Sequence, residues 1–122
     1  MIVLDASAIL AFFMGEPGAD TVEAALDQGD VTCSAANWSE TAQKMLGAGR
    51  NWDDARTLML ERGLLIEPVT VDDAELAAVI WLTHRNLSLA DRICMALARR
   101  LEAEAWTTDR IWGEESGIRQ LR

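Results

Sequence analysis

Apolar residues along this chain alternate between two rhythms. Short continuous runs at residues 1–4, 31–34, 64–69 and 104–108 are bounded by polar or turn residues and read as buried strands. The segments between them carry apolar positions at helical spacing. A first helix fits residues 6–14 and ends at Gly15. A second follows Pro17, with Val22, Ala25 and Leu26 as its apolar stripe, and closes at Gly29. A third opens near Asn37 and stops at Gly47 and Gly49, and a fourth runs from an Asn51 cap to Gly63. The Asp72–Glu75 pair resembles a capping box for a fifth, with Leu76, Val79, Ile80 and Trp81 as its buried face and Asn86 as its stop. Ser88 caps a sixth, in which Leu89, Ile93, Leu97 and Leu101 recur at four-residue spacing. Pro68 sets the third strand at a sheet edge or ends it, and the tail from Ile118 suits a last short strand.

Strands separated by helical segments need crossover connections. The pattern therefore predicts an α/β fold with a mostly parallel sheet of four to five strands and helices on both faces. At 122 residues the chain fits a single domain, residues 1–122, and no repeat or linker divides it.

In such a sheet, strand ends and helix starts share one rim, the carboxyl edge where ligands bind. Four acids fall there. Asp5 and Asp109 each end an apolar run, while Glu40 and Asp91 each open a helical pattern. If they meet they repel, each pair at about 4 Å costing about 4 kcal/mol at the effective dielectric of a protein surface. A cation is then needed, and clustered carboxylate oxygens suit Mg²⁺ or Mn²⁺ and phosphoryl chemistry. Three of the acids also have a structural explanation. Ser88 to Asp91 is a capping-box spacing, Glu40 lies three residues after Asn37, and Asp109 could cap a short helix through Trp112. Asp5, directly ending a buried strand, is poorly explained by helix propensity.

Ser7 and Thr108 stand beside two of the acids, where their hydroxyls orient a water or phosphate oxygen or make local turn bonds. Lys44, Arg92 and Arg110 are candidate phosphate contacts, with solvated faces and ion pairs as the alternative. His84 is the only histidine and reads as a helix-end residue. An RNase relying on the substrate's 2′-hydroxyl generally needs a well-placed acid and base. Hydrolysis by a water activated at divalent ions is therefore the expected chemistry.

The net charge of -9 argues against broad, nonspecific nucleic-acid binding and leaves room for a narrow substrate site. Cys33 and Cys94 have neither metal-type nor redox-type spacing and read as buried thiols. Asp5 interrupts the N-terminal run, which argues against a signal peptide, and no stretch approaches membrane-spanning length, so a cytoplasmic location is expected. Trp81 and Trp106 read as core. Trp38, Trp52 and Trp112 suit core, an interface or base stacking. Phe12, Phe13, Met45, Leu46 and Met59 are candidates for core or partner surfaces.

Five segments together resemble PIN-domain ribonucleases, and among them the VapC-type toxins of toxin-antitoxin modules. They are Leu4-Asp5-Ala6-Ser7-Ala8, Gly15-Glu16-Pro17-Gly18-Ala19, Asn37-Trp38-Ser39-Glu40, Leu87-Ser88-Leu89-Ala90-Asp91-Arg92, and Thr107-Thr108-Asp109-Arg110 with Trp112. The resemblance implies a PIN-like three-layer sandwich, with Asp5, Glu40, Asp91 and Asp109 in the family's acidic Mg²⁺ or Mn²⁺ positions and Ser7 near the metal. It also implies cleavage of an RNA substrate, usually tRNA or rRNA, a cognate VapB-type antitoxin and a homodimer. The low pI, about 4.4, departs from the basic surface expected of an RNA binder.

Two other acidic α/β classes fit less well. A signalling receiver domain needs an acidic pair and a lysine after its last strand, whereas Asp5 has no adjacent acid and Lys44 comes too early. A haloacid-dehalogenase-type phosphatase needs a second Asp where Ser7 stands. A PIN-like fold kept only for partner binding is a further alternative, against which all four acids are present.

Overall fold

A computed structural model describes all residues, Met1–Arg122. Five strands, β1 (Ile2–Leu4), β2 (Val31–Ser34), β3 (Leu65–Glu67), β4 (Glu104–Thr107) and β5 (Ile118–Gln120), form one sheet in the order β3-β2-β1-β4-β5, every pairing parallel. Six helices connect them: α1 (Ala6–Met14), α2 (Ala19–Gln28), α3 (Ala35–Gly47), α4 (Trp52–Glu61), α5 (Val71–Trp81) and α6 (Leu89–Arg100). A 3₁₀ turn, Arg110–Trp112, lies between β4 and β5. β3 is an edge strand ending just before Pro68, which cannot donate to a ladder.

The alternation of strand side chains divides the interior in two. Leu4, Cys33 and Trp106 face one core with Ile9 of α1, Val22 and Leu26 of α2 and Met59 of α4. Val3 and Ala105 face the other, with Ile80 of α5 and Cys94 and Leu97 of α6. The result is the three-layer α/β sandwich expected from the sequence. Both cysteines are buried free thiols, and burial pushes Cys33 up to about 12. No helix is long and apolar enough to cross a membrane.

Several local expectations need correcting. α3 begins at Ala35 with Ser34 as its cap, so Asn37 lies within the first turn and Glu40 beyond it, and capping does not explain Glu40. The box of α5 joins Thr70 to Asp73 rather than Asp72 to Glu75. Asp73 is buried and also takes a bidentate pair from Arg100, which holds its carboxyl below the usual range. Residues 79–81 cannot all share a face at 100° per residue. Ile80 is buried, while Val79 is exposed and Trp81 lies under the Arg85 guanidinium, 42% exposed. α5 ends at Trp81, and Asn86 has no left-handed backbone to stop it.

Pro17 precedes α2 rather than opening it. Gly18 is the cap, at φ 101°, where an added Cβ would come within 3.0 Å of Leu121 Cβ. Glycine is required there by backbone and space together. Of the five candidate apolar residues, Met45 and Met59 are buried and Phe12 and Phe13 pack against the core. Leu46 is 61% exposed.

Candidate active site

The chain runs outward from β1 through β2 to β3, then returns to the other side of β1 with β4. This reversal opens a crevice at the carboxyl ends of β1 and β4, the usual ligand position in an open parallel sheet. The parallel register pairs Leu4 with Trp106, so Asp5 and Thr107 follow side by side.

Asp5 is 1% exposed and held on all sides. Its Oδ1 accepts from Ser7 Oγ at 2.6 Å and from the Ala8 backbone N–H at 2.8 Å. Its Oδ2 accepts from Thr107 Oγ1 at 2.5 Å. Asp5 therefore caps α1, a duty the sequence had made it look unsuited for. Thr107 Oγ1 also accepts from the Asp109 backbone N–H at 3.0 Å, joining two of the acids through one hydroxyl. Ser7 Oγ in turn accepts from the Thr108 backbone N–H at 2.9 Å. Thr108 enters this network through its main chain.

Burial pushes the Asp5 carboxyl up to about 6, against the lowering effect of its three hydrogen bonds, and the charge of Asp91 adds to the rise. Burial likewise raises Asp91, with Glu40 and Asp109 pushing the same way. These mutual fields tie Asp5, Glu40, Asp91 and Asp109 to one electrostatic neighbourhood. Asp91 also completes a capping box, its Oδ2 accepting from the Ser88 N–H and its own N–H donating to Ser88 Oγ. Asp109 caps the 3₁₀ turn through Ile111 N–H. Glu40 Oε1 lies 3.5 Å from Lys44 Nζ, whereas its Oε2 is buried without any partner.

The donor set fits a hard divalent ion. Glu40 Oε2 is an orphaned buried acceptor, and the charges of Glu40 and Asp109 both act against the ionised Asp91. No three His, Cys, Asp or Glu residues form a group tight enough to hold an ion by themselves. An ion held there would keep several waters and take only one or two carboxylates directly.

The three basic candidates differ. Lys44 pairs with Glu40. Arg92 donates Nη1 to Ala77 O at 2.8 Å and Nε to Leu87 O at 3.4 Å, fastening α6 to α5. Arg110 is exposed and lines a polar cleft beside Asp109. His84 bonds Glu115 at 2.9 Å.

Two buried polar residues escape sequence reasoning. Thr107 closes a buried run at the register of Asp5, a signal readable only once β1 and β4 are known to be neighbours. Asn37 is fully buried, its Oδ1 accepting from Ser34 Oγ and its Nδ2 unpartnered. Its position in a helix start disguises it as a cap.

Structural comparison brings toxin-antitoxin proteins to this fold. A toxin-antitoxin complex from Klebsiella pneumoniae is 19% identical with TM-score 0.81, covering 100% of this chain and 98% of that one. A sarcin-ricin-loop-cleaving VapC toxin from Mycobacterium tuberculosis is 21% identical with TM-score 0.72, covering 89% and 90%. A VapBC complex from Rickettsia felis, bound to a DNA fragment of its promoter, is 11% identical with TM-score 0.77 over 100% of both chains. No curated protein sequence matches the chain significantly. The family model described as PIN domain matches residues 2–114, from the first strand to just past the 3₁₀ turn and across all four acids. With that match spanning nearly its whole length, the chain belongs to the PIN-domain family.

Proposed function

We propose that the chain is a VapC-like toxin of a type II toxin-antitoxin system, a Mg²⁺- or Mn²⁺-dependent endoribonuclease that cuts tRNA or rRNA and so inhibits translation. The observation that carries this reading is the buried, partnerless Oε2 of Glu40, a residue whose charge joins that of Asp109 in raising the Asp91 carboxyl, as Asp91 in turn raises Asp5. Membership of the PIN-domain family supports it, as does the fold shared with VapC toxins.

Asp5, Glu40, Asp91 and Asp109 would hold one or two divalent ions, directly or through water. When bound there, the ion supplies Lewis acidity toward phosphate oxygen and lowers the pKa of water. The chain's own residues prepare the site. Ser7 and Thr107 donate hydroxyl hydrogen bonds to Asp5, which fixes both carboxylate oxygens. Thr107 simultaneously fixes the Asp109 backbone. The Ser88 box anchors Asp91 at the start of α6, and Ser34 caps the helix that carries Glu40. The lone histidine is engaged with Glu115, which leaves the crevice without an imidazole acid-base pair and favours hydrolysis to 5′-phosphate and 3′-hydroxyl ends.

A VapB-type antitoxin and a homodimeric, cytoplasmic state complete the proposal. The net charge of -9 supports a basic partner segment. Mapping RNA 5′ ends in cells expressing wild type and Asp5→Asn in parallel tests the function. New ends at defined positions in a tRNA or rRNA are expected with the wild type alone. Identical end maps from the two proteins would refute it.

A further inference from the structure

Most of the chain's cationic side chains are already engaged. Arg56, Arg62, Arg100 and Lys44 are in ion pairs, Arg92 holds two carbonyls, and Arg85 and Arg119 lie over tryptophan rings. Arg110 and Arg122 make no ion pair, and they line the same cleft. It has a volume of about 320 Å³, and Gly113, Glu114 and Gln120 complete its walls without one apolar side chain.

This cleft is tied to the acidic crevice. Arg110 directly follows Asp109 in the 3₁₀ turn. Gln120 Nε2 donates to Asp109 O at 2.9 Å and to Gly113 O at 3.1 Å, so one amide links a cleft wall to the backbone of Asp109. Two guanidiniums against the Glu114 carboxylate and the main-chain carboxylate of Arg122 make the cleft close to neutral in a chain of charge -9.

We propose that Arg110 and Arg122 form a subsite for one backbone phosphate of a single-stranded RNA, adjacent along the strand to the bond presented at Asp109. The proposal rests on the nuclease reading for its substrate. Guanidinium forks match phosphate oxygens bidentately. The absence of any aromatic or apolar wall excludes a stacked base as the occupant. A single phosphate seat also accounts for how so acidic a chain engages RNA. Its remaining surface repels the backbone, so binding is confined to the rim around Asp109 and the substrate range is narrow.

The test measures binding of a short fluorescent single-stranded RNA in EDTA, across a salt series, with cleavage of the same RNA in Mn²⁺ followed separately. Arg110→Ala and Arg122→Ala are each expected to weaken binding several-fold, and the double variant to lower the log–log salt slope by about 0.7, the contribution of one phosphate. Arg110→Lys and Arg122→Lys keep the slope while losing affinity, which separates phosphate contact from misfolding. Arg50→Ala removes equal charge beyond the end of α3 and is expected to leave binding near the wild-type value. Equal binding and equal slope in wild type and double variant, no measurable wild-type binding, or an equal loss in Arg50→Ala would each overturn the subsite. Slopes that change as expected without any Mn²⁺-dependent cleavage would keep the subsite and defeat the nuclease reading. Cleavage with unchanged slopes would do the reverse.

Discussion

Asp5 serves two purposes that a single substitution separates. As a cap and hydrogen-bond hub it stabilises the start of α1, and as a buried charge near Asp91 it destabilises the fold. Asparagine retains the cap acceptor and removes the charge, whereas alanine removes both. At pH 7 without metal, Asp5→Asn is expected to melt at or above the wild-type temperature. Asp5→Ala is expected to melt below Asp5→Asn by an amount equivalent to about 1 kcal/mol or more. Calorimetry of the three proteins checks this, and an Asp5→Asn protein several degrees less stable than wild type would contradict the burial argument.

The same carboxyl makes stability depend on pH. Its pKa is raised from 3.8 to about 6, so the folded protein holds a proton in a window where the unfolded chain has released it. Stability of the metal-free protein must then fall as pH rises from about 4 to 6, by on the order of 2–3 kcal/mol, and stay low above that window. Asp91, raised in the same direction, adds to the fall. Denaturant melts at pH 5 and pH 7 measure it, and Asp5→Asn is expected to flatten the difference. A wild-type protein more stable at pH 7 than at pH 5 would show that other groups dominate.

At the scale of elements, Asp5, Asp91 and Asp109 owe their positions to strand ends or helix starts, so removing an anchor should misplace an acid. Ser88→Ala breaks the α6 box and is expected to cost about 1 kcal/mol of stability. It should also lower RNA cleavage by more than that loss explains, because Asp91 then loses its hold. Thermal melts and cleavage rates of the same preparation distinguish the two effects, and unchanged cleavage would show that the box does not position Asp91. Most elements were legible in the sequence because buried parallel strands and amphipathic helices have different periods. The misreadings lie where local signals compete. Asn37 looked like a cap because asparagine often is one, yet Ser34 sits at the end of β2 and takes that place. Trp81 looked buried by composition, whereas helical geometry allows only Ile80 of residues 79–81 to face inward. Thr107 was invisible as a site residue because its role depends on a partner 102 positions away.

For the whole molecule, the sheet order brings the ends of β1 and β4 together at one rim, and the proposed site there takes a divalent cation. Mn²⁺ at about 100 times its Kd is expected to stabilise the wild type by about 2.7 kcal/mol. Glu40→Gln should abolish most of that gain, since it blunts the buried, partnerless oxygen. Thermal shift with and without Mn²⁺ reads both, and an equal gain in both proteins would mean that the ion binds elsewhere. The central claim concerns chemistry and is tested most directly by the termini of RNA cut by the purified protein. The account predicts 5′-phosphate and 3′-hydroxyl ends, formed with Mg²⁺ or Mn²⁺ and lost in excess EDTA. Ends bearing 2′,3′-cyclic phosphate, or full cleavage in EDTA, would contradict it.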